Sequence, residues 1–439
     1  MSRIQNFSLA LLISIIWSCS SQMPTSEPRP EIYDEPEAIP EQDIPPAQVL
    51  TGLDVMKSMG FKPLLGKRVG IVTNHTALTR EGEHLVDLLA AAEGVTVAAI
   101  YAPEHGFRGN TEGGGTIQDG IDTQTGIRIY SLYGPNREPN AEMLQEIDIL
   151  VYDIQDVGAR FYTYISTMGY VLQAGARYDI PVMILDRPNP LGRKTGGNVL
   201  DPGFESFVGR YPIPIRYGLT IGELARMIIG ERMLEDVETV SLHVVECEGW
   251  NGEYWQNTDL SWVAPSPNMR NTNETLTYPG LCLLEGVGIS EGRGTEEPFE
   301  VVGTPYFNSE LMIKELEKTG LQGFNLEPVK YTPVDMPGVA MNPIFEGEEV
   351  QGMRIQVTDP ELFQPVEFLI HLLVTAKRHY PDKFSWRRST GPDRLWGGDY
   401  LRLMIDANNS AEEIISMYQE ELTDYTNTCS KYFIYPANR

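Results

Sequence analysis

The sequence predicts an α/β fold, in which a Rossmann-like parallel sheet carries helices on both faces and a smaller C-terminal α/β subdomain follows. Two observations predict it. Short apolar runs rich in β-branched residues alternate with segments of helical periodicity, a pattern typical of a parallel sheet buried on both faces. Polar and ionisable residues follow each apolar run, as expected where a ligand binds beyond the carboxyl ends of parallel strands.

The individual elements can be assigned from helix caps and from apolar periodicity. Capping boxes at Thr220 and Ser410 mark the first residues of two helices, because a hydroxyl there and a glutamate three residues later satisfy free backbone donors. Beyond Gly303 a further helix, strand and helix indicate the second subdomain. The other predicted elements are strands over residues 68–73, 95–101, 147–152, 181–185 and 354–357, and helices over 85–90, 164–178, from 309, and over 366–380.

The N-terminus has the pattern of a bacterial lipoprotein signal. The apolar run from Phe7 to Trp17 is too short to span a bilayer and is typical of a signal peptide. We therefore predict that residues 1–18 are removed and that Cys19 is lipidated, which would anchor an exported protein in the cell envelope, facing the periplasm. The alternative is a plain secretory signal with an incidental cysteine.

Composition divides the rest of the chain. Residues 19–48 are rich in Pro, Glu, Ser and Gln and are predicted to be a disordered tether. The remaining residues, about 390 in number, exceed what one hydrophobic core normally supports. We predict a Rossmann-like catalytic domain over 49–303 and a C-terminal α/β subdomain over 304–439.

Charge and cysteine usage exclude several classes of function. The formal net charge is −27, from 34 basic and 61 acidic residues, which argues against binding to nucleic acid or anionic lipid. After Cys19, the cysteines are Cys247, Cys282 and Cys429. An odd number without CxxC spacing predicts neither a disulfide framework nor a zinc site, so these residues are expected to be small buried hydrophobes.

The polar residues that follow the first four strands are candidate ligand-binding residues. Since the carboxyl ends of parallel strands lie at one edge of a sheet, these side chains are predicted to converge on one crevice. They are Asn74 and His75 after the first strand, His105 and Arg108 after the second, Asp153, Gln155, Asp156 and Arg160 after the third, and Arg187 and Asn189 after the fourth.

Two glutamates are candidate catalytic residues. Glu104 and Glu291 each lie beside glycines and an arginine in a predicted loop. Glycoside hydrolysis needs such a pair, one acid to protonate the leaving oxygen and one carboxylate to stabilise or attack the sugar. The pair can act only if the fold brings both side chains to one sugar-sized gap. The arginines that could bind a substrate carboxylate, or instead pair with internal carboxylates, are Arg108, Arg160, Arg187 and Arg293.

Nucleotide and metal sites are less well supported. No GxGxxG follows the first strand and no GxxxxGK[ST] is present, so no dinucleotide or phosphate-loop site is predicted. His75 and His105 could serve as metal ligands of an amidase or esterase, but the chain has six histidines and no HExxH. We predict no cofactor and no metal.

At these residues the sequence resembles the exo-β-N-acetylmuramidase family (NamZ/YbbC-like, glycoside hydrolase family 171). The resemblance covers essentially the whole chain after the tether and is densest up to Phe299. The segments that carry it are residues 52–54, 66–70, 73–76, 103–109, 130–134, 153–164, 186–190, 265–268, 278–280 and 290–295.

The resemblance implies a Rossmann-like catalytic part, a smaller C-terminal part and a cleft between them. The implied activity is release of N-acetylmuramic acid (MurNAc) from the non-reducing ends of peptidoglycan fragments, such as muropeptides or a disaccharide with N-acetylglucosamine (GlcNAc). The resemblance also makes Glu104 the leading catalytic acid and Glu291 the second carboxylate. It adds Tyr162 and Asn268 to the predicted substrate-binding residues. One departure is Tyr217, where a histidine is usual in the family.

Several alternatives remain open at this point. The 2-acetamido group of the sugar could act as the nucleophile, so retaining, inverting and substrate-assisted routes are all compatible with the sequence. A non-catalytic cell-wall glycan-binding lipoprotein and a metal-dependent amidase or esterase are the two rival functions.

Overall fold

A computed structural model describes residues 48–104, 106–108, 119–387 and 391–436. The predicted signal peptide, Cys19 and the tether up to residue 47 lie outside the described residues, as does His105. Within the described ranges, no helix has the length and apolar character needed to cross a bilayer.

The predicted strands of the parallel sheet form within two residues of their expected bounds, because each is a continuous apolar run that can be buried on both faces. The described strands are β1 Arg68–Thr73, β2 Thr96–Ala102, β3 Gly120–Ile121, β4 Arg128–Ser131, β5 Ile149–Asp153, β6 Val182–Leu185, β7 Thr195–Val199, β8 Pro214–Tyr217, β9 Leu242–Val245, β10 Val301–Thr304, β11 Phe324–Tyr331 and β12 Val350–Val357.

Seven of these strands form one mixed sheet in the order β3-β4-β2-β1-β5-β6-β9. All neighbours in it are parallel except β3, which pairs antiparallel with β4. The chain runs outward from β1 through β2 and β4, then returns to β5 on the other side of β1. Such a reversal of strand order opens a crevice at the carboxyl ends of the central strands. The predicted α/β class is therefore confirmed.

The alternating side chains of the central strands place most of the core in two large clusters. In β1, Ile71 belongs to one apolar cluster and Val72 to the other, and both are fully buried. The cluster that contains Val72 continues into the C-terminal region through Met353 and Phe368. One apolar core thus joins the parallel sheet to the C-terminal elements on that face.

Helices cover the sheet and build the C-terminal region. The described α-helices are α1 Gly52–Ser58, α2 Leu85–Ala91, α3 Ala141–Leu144, α4 Tyr164–Arg177, α5 Ile221–Gly230, α6 Thr272–Leu281, α7 Ser309–Glu317, α8 Pro365–His379, α9 Gly391–Trp396, α10 Tyr400–Asp406, α11 Ala411–Ser416 and α12 Gln419–Cys429. Both predicted capping boxes are confirmed, at Thr220 before α5 and at Ser410 before α11.

The C-terminal region contains a three-stranded antiparallel sheet in the order β10-β12-β11. The predicted boundary between residues 303 and 304 falls inside β10, and it stays a prediction.

Cys247, Cys282 and Cys429 are free and buried, which confirms that they act as small hydrophobes in the core. A separate two-stranded sheet pairs β7 with β8.

Candidate active site

Three neighbouring elements position Glu104. It follows β2 in a tight turn that Gly106 closes with a positive φ of 76°, and the Gly106 amide donates to the Pro103 carbonyl at 3.0 Å. The hydroxyl of Tyr133, just after β4, donates to Oε1 of Glu104 at 2.8 Å. The hydroxyl of Thr163, at the start of α4, donates to Oε2 of Glu104 at 2.6 Å. Both carboxylate oxygens are therefore held by hydroxyl donors from different elements.

Glu291 lies on a glycine-rich loop between α6 and β10. Gly292 and Gly294 have φ values of 85° and 81°, a backbone region that side chains other than glycine rarely adopt. A Cβ on Gly292 would lie 2.7 Å from the carbonyl oxygen of Glu297, and one on Gly294 would lie 2.7 Å from Cγ of Pro343. These glycines let the loop pack closely against the protein's own neighbouring segments, and this fixes the Glu291 backbone.

Arg293 connects Glu291 to a second glutamate. Its Nη2 lies 2.6 Å from Oε1 of Glu285, and its Nε lies 3.7 Å from Oε1 of Glu291. The guanidinium also lies over the ring of Phe299, 5.1 Å from its centroid. The sequence is compatible with an arginine that binds substrate or one that pairs internally, and the structure gives Arg293 internal partners.

The environment of Glu291 favours its neutral form. The residue is only 3% exposed, and burial raises the pKa of its carboxyl to about 7, although the charge of Arg293 opposes the shift. Its Oε2 has no hydrogen-bond partner among the described residues. Glu291 can therefore retain a proton near neutral pH, as a proton donor requires.

Glu104 and Glu291 line one cavity of about 700 Å³. A smaller cavity of about 170 Å³ shares Glu104, Glu285 and Arg293 with it, and we call the two together the glutamate cleft. Small-molecule sites commonly span roughly 300–1,000 Å³, so the larger cavity can hold a sugar unit. The other described residues of the larger cavity are Tyr133, Val208, Gly286, Val339, Ala340, Met341, Asn342, Pro343, Ile344, Arg387, Gly391, Arg394 and Leu395.

Tyr162 and Asn268 line the smaller cavity of the glutamate cleft. The ring of Tyr162 packs edge-on against Tyr164 and Tyr278, with centroids 4.9 and 5.9 Å away. Nδ2 of Asn268 donates to the Val339 carbonyl at 2.7 Å. The structure therefore brings five predicted site residues together: Glu104, Tyr162, Asn268, Glu291 and Arg293.

Gln155 and Arg187 line a different cavity, of about 260 Å³. Arg187 forms a buried ion pair with Asp153, in which Nε lies 2.5 Å from Oδ1 and Nη2 lies 3.1 Å from Oδ2. Nε2 of Gln155 donates to the carbonyl of Pro188 at 3.0 Å. The strand ends thus supply two separate cavities, whereas the sequence suggested a single crevice.

Three further predicted residues have internal partners. Oδ2 of Asp156 accepts a 2.5 Å hydrogen bond from the hydroxyl of buried Tyr217, and burial raises the pKa of Asp156 to about 7. Four backbone carbonyls accept hydrogen bonds from fully buried Arg160. Nδ2 of Asn189 donates to the Leu219 carbonyl at 2.9 Å. These contacts join core segments. Tyr217, which stands where a histidine is usual in the family, is also buried in the core.

Asn74 and His75 also contact protein atoms. Oδ1 of Asn74 accepts from the amide and the hydroxyl of Thr76, at 3.0 and 2.6 Å. Nε2 of His75 donates to the Ala264 carbonyl at 2.7 Å. Neither residue lines the glutamate cleft as described. Both help to hold the loop that follows β1.

Arg108 lies at the other end of the Glu104 loop. Its Nη2 donates to both carboxylate oxygens of Asp122 at 3.1 Å, and its guanidinium lies 4.3 Å from the ring centroid of Phe107. His105 lies outside the described residues. In the described ranges, no group of three or more His, Cys, Asp and Glu is arranged to hold a metal ion.

Five residues that line or support the glutamate cleft are not among the residues predicted from the sequence. Tyr133 and Thr163 lie inside the segments that carry the family resemblance, Tyr133 just after β4 and Thr163 directly before α4. Glu285 precedes Glu291 by six residues but lies in an apolar segment. Arg387 and Arg394 come from the C-terminal region, and no local pattern distinguishes them from surface arginines.

Two carboxylates that line one cavity of an α/β fold meet the minimum requirement of one class of enzyme, the glycoside hydrolases, which need an acid and a second carboxylate. Two family models match the chain, described as the N-terminal and C-terminal parts of exo-β-N-acetylmuramidase NamZ, over residues 69–273 and 276–435. The chain therefore belongs to the NamZ family of exo-β-N-acetylmuramidases, as its motifs suggested.

Individual relatives agree with this assignment. The chain is 38% identical over 390 residues to the peptidoglycan β-N-acetylmuramidase NamZ of Bacillus subtilis (strain 168), a match that covers 88% of this chain and 92% of that protein. Crystal structures of two DUF1343 family proteins from Bacteroides fragilis NCTC 9343 are each 34% identical to it. The match to the first has a TM-score of 0.82 and covers 88% of this chain and 99% of the chain in that structure. The match to the second has a TM-score of 0.73 and covers 89% of this chain and 100% of the chain in that structure.

Proposed function

We propose that this chain is an exo-acting β-N-acetylmuramidase that releases MurNAc from the non-reducing ends of peptidoglycan fragments, and that the reaction occurs in the glutamate cleft. Family membership and the activity named for the Bacillus subtilis relative support the reaction. The observation that carries the location is that Glu104 and Glu291 line the same cavity of about 700 Å³.

The two glutamates differ in the ways that glycoside hydrolysis requires. We assign proton donation to Glu291, because its buried carboxyl keeps its proton up to a pH of about 7. Glu104 accepts hydroxyl hydrogen bonds at both oxygens, which is the hydrogen-bonding pattern of a carboxylate. It is suited to stabilise the positive charge that develops on the sugar ring. The sequence resemblance assigned the acid role to Glu104, and the described geometry favours the exchange of the two roles.

In the proposed reaction the glycosidic bond breaks at the anomeric carbon. The leaving oxygen takes the proton of Glu291, the carboxylate of Glu104 stabilises the oxocarbenium-like transition state, and water supplies the new hydroxyl on MurNAc. Water also returns a proton to Glu291, so the enzyme regains its starting state.

Replacement of Glu291 by glutamine tests the proton-donor role. We expect turnover of a MurNAc-GlcNAc disaccharide to fall by about 10²-fold or more, whereas a nitrophenyl MurNAc glycoside should lose much less, because nitrophenolate leaves without protonation. Wild-type turnover of the disaccharide should decline as the pH rises through about 7, where Glu291 loses its proton. Equal losses on both substrates, with an unchanged pH profile, would contradict the role.

The same titration has a consequence for stability. The carboxyl has a reference pKa of 4.5 and is raised in the folded chain, so the folded state binds more protons than the unfolded state between these values. Wild-type stability should therefore fall, relative to Glu291→Gln, as the pH rises from about 4.5 through about 7. The charges that act on Glu291 in this window are those of Arg293, Glu285 and Arg387.

Product analysis tests the function itself. A soluble form without the predicted signal and lipid site should convert a MurNAc-GlcNAc disaccharide into the two monosaccharides, identified by mass. Tight retention of the disaccharide without cleavage would favour the glycan-binding alternative. Activity that is abolished by EDTA and restored by zinc would instead favour a metal-dependent amidase or esterase.

We also propose that the protein is an exported lipoprotein, anchored at Cys19 and facing the periplasm. The apolar run that ends at Trp17 and the position of Cys19 directly after Ser18 support this proposal. In cell fractionation, Cys19→Ser should move the protein from the membrane fraction to the soluble exported fraction, and the neighbouring Ser20→Ala should leave it in the membrane. A soluble wild-type protein would favour a plain secretory signal.

A further inference from the structure

Two arginines of the glutamate cleft have side chains without a hydrogen bond or ion pair to any described residue, although the charge of Arg387 acts on the nearby Glu291. Arg387 follows the isolated bridge between Val287 and Trp386, and its backbone amide donates to the Gly286 carbonyl at 3.0 Å. Arg394 lies in α9. Both line the cavity that contains Glu104 and Glu291, and both are exposed. Among the described residues, neither guanidinium makes a hydrogen bond or an ion pair.

The arginines selected from the sequence are different in this respect. Arg187 is paired with Asp153, Arg108 with Asp122, and Arg293 with Glu285. The positive charge of a guanidinium that already pairs with an internal carboxylate is largely offset by that carboxylate, so the guanidinium attracts a ligand carboxylate less strongly. Arg160 likewise donates to four backbone carbonyls.

The described residues of the larger cavity carry a net charge opposite in sign to that of the whole protein. The chain carries a formal charge of −27, so an anionic ligand is repelled by most of its surface. The described Asp, Glu, Lys and Arg residues of the larger cavity are three glutamates, at 104, 285 and 291, and three arginines, at 293, 387 and 394. The Glu285–Arg293 pair is internal, and Glu291 favours its protonated form. The charges that remain are the negative one of Glu104 and the positive ones of Arg387 and Arg394, so these residues together carry a net charge of +1.

We propose that Arg387 and Arg394 bind a carboxylate of the substrate and determine the preference for MurNAc over GlcNAc. This inference rests on the proposed function and assigns its substrate selectivity to residues. MurNAc differs from GlcNAc by an O-linked lactyl group that ends in a carboxylate, and a guanidinium binds a carboxylate through two parallel hydrogen bonds. Peptide-bearing fragments offer stem carboxylates in place of the lactyl one, because the lactyl group is then an amide.

The test compares glycosides with and without a carboxylate. We expect Arg387→Gln and Arg394→Gln each to reduce kcat/KM for a nitrophenyl MurNAc glycoside by about 10- to 100-fold, the loss expected for a hydrogen bond to a charged group. Most of the loss should appear in KM. Activity toward a nitrophenyl GlcNAc glycoside should not change, so the selectivity ratio should fall. Arg226→Gln, which removes an exposed arginine on α5 outside the cleft, is the matched control.

A binding measurement covers the case in which the GlcNAc glycoside is not cleaved. By titration calorimetry, free MurNAc should bind wild type more tightly than GlcNAc does, and the Arg387→Gln/Arg394→Gln double variant should bind the two sugars equally. A MurNAc lactyl amide and a peptide-bearing muropeptide separate the two sources of carboxylate. If the double variant no longer discriminates between MurNAc and its lactyl amide, the lactyl carboxylate is the group that the arginines bind. If the double variant loses affinity only for the muropeptide, a stem carboxylate is that group.

The possible failures are distinguishable. A wild-type protein that cleaves no MurNAc glycoside overturns the proposed function. A wild-type protein that cleaves it, together with arginine variants that keep full selectivity and affinity, overturns only the assignment of Arg387 and Arg394. Equal losses toward both glycosides, accompanied by a lowered melting temperature, would assign the two arginines a structural role and would likewise overturn it.

Discussion

Replacement of Glu104 by glutamine is expected to reduce turnover of a nitrophenyl MurNAc glycoside by about 10²-fold or more, the cost of removing one preorganised charged group from a transition state. Glutamine keeps the size of the side chain but removes the negative charge. It also exchanges one oxygen for a donor, whereas both oxygens of Glu104 accept from the hydroxyls of Tyr133 and Thr163. The loss should appear in kcat at saturating substrate.

Three variants make this result interpretable. Tyr133→Phe and Thr163→Val each remove one hydrogen bond to Glu104, so they should reduce turnover by less than Glu104→Gln does. Glu81→Gln removes an exposed carboxylate beside the other cavity and should leave turnover unchanged. Near-normal turnover by a correctly folded Glu104→Gln protein would exclude Glu104 from catalysis.

Replacement of Asp153 by asparagine is expected to cost about 3–5 kcal/mol of the free energy of unfolding, the loss found when one partner of a buried ion pair is removed. Asp153 is fully buried and Arg187 is 5% exposed, so the substitution leaves the Arg187 charge without its partner in the core. Equilibrium urea unfolding of the soluble chain measures the effect. A double variant, Asp153→Leu with Arg187→Met, should recover most of the lost stability, because no buried charge remains.

Asp148→Asn is the matched control for this experiment. Asp148 forms a 2.8 Å ion pair with Arg68, in which the arginine side chain is 47% exposed and the aspartate side chain 34% exposed, so the control should change stability far less. If Asp153→Asn were as stable as this control and instead bound substrate poorly, Asp153 and Arg187 would be binding residues, as the sequence first suggested.

The sheet could be predicted because its central strands have an unmistakable signal. β1, β5 and β6 are continuous apolar runs, buried along nearly their whole length. β9 was missed, since its four residues are part-buried or exposed and it pairs with only one neighbour, β6. The antiparallel C-terminal sheet was recognised only through β12, because the exposed residues of β11 hide its pattern.

The candidate site was predictable in part for a similar reason. Glu104 and Glu291 lie in glycine-containing loops whose composition is unusual for core or helix, and the structure places both on one cavity. The roles of the arginines were not predictable, because pairing depends on residues distant in sequence: Arg160 donates to carbonyls more than 200 positions away. The same distance hid Arg387 and Arg394, which only the folded chain brings to Glu104.

The most direct measurement is a crystal structure of Glu104→Gln with an uncleaved MurNAc-GlcNAc disaccharide. We expect the glycosidic oxygen to lie within hydrogen-bond distance of the Glu291 carboxyl, with the MurNAc ring between positions 104 and 291. A disaccharide bound in the cavity of Gln155 and Arg187, or one that contacts neither glutamate position, would contradict the assignment of catalysis to the glutamate cleft.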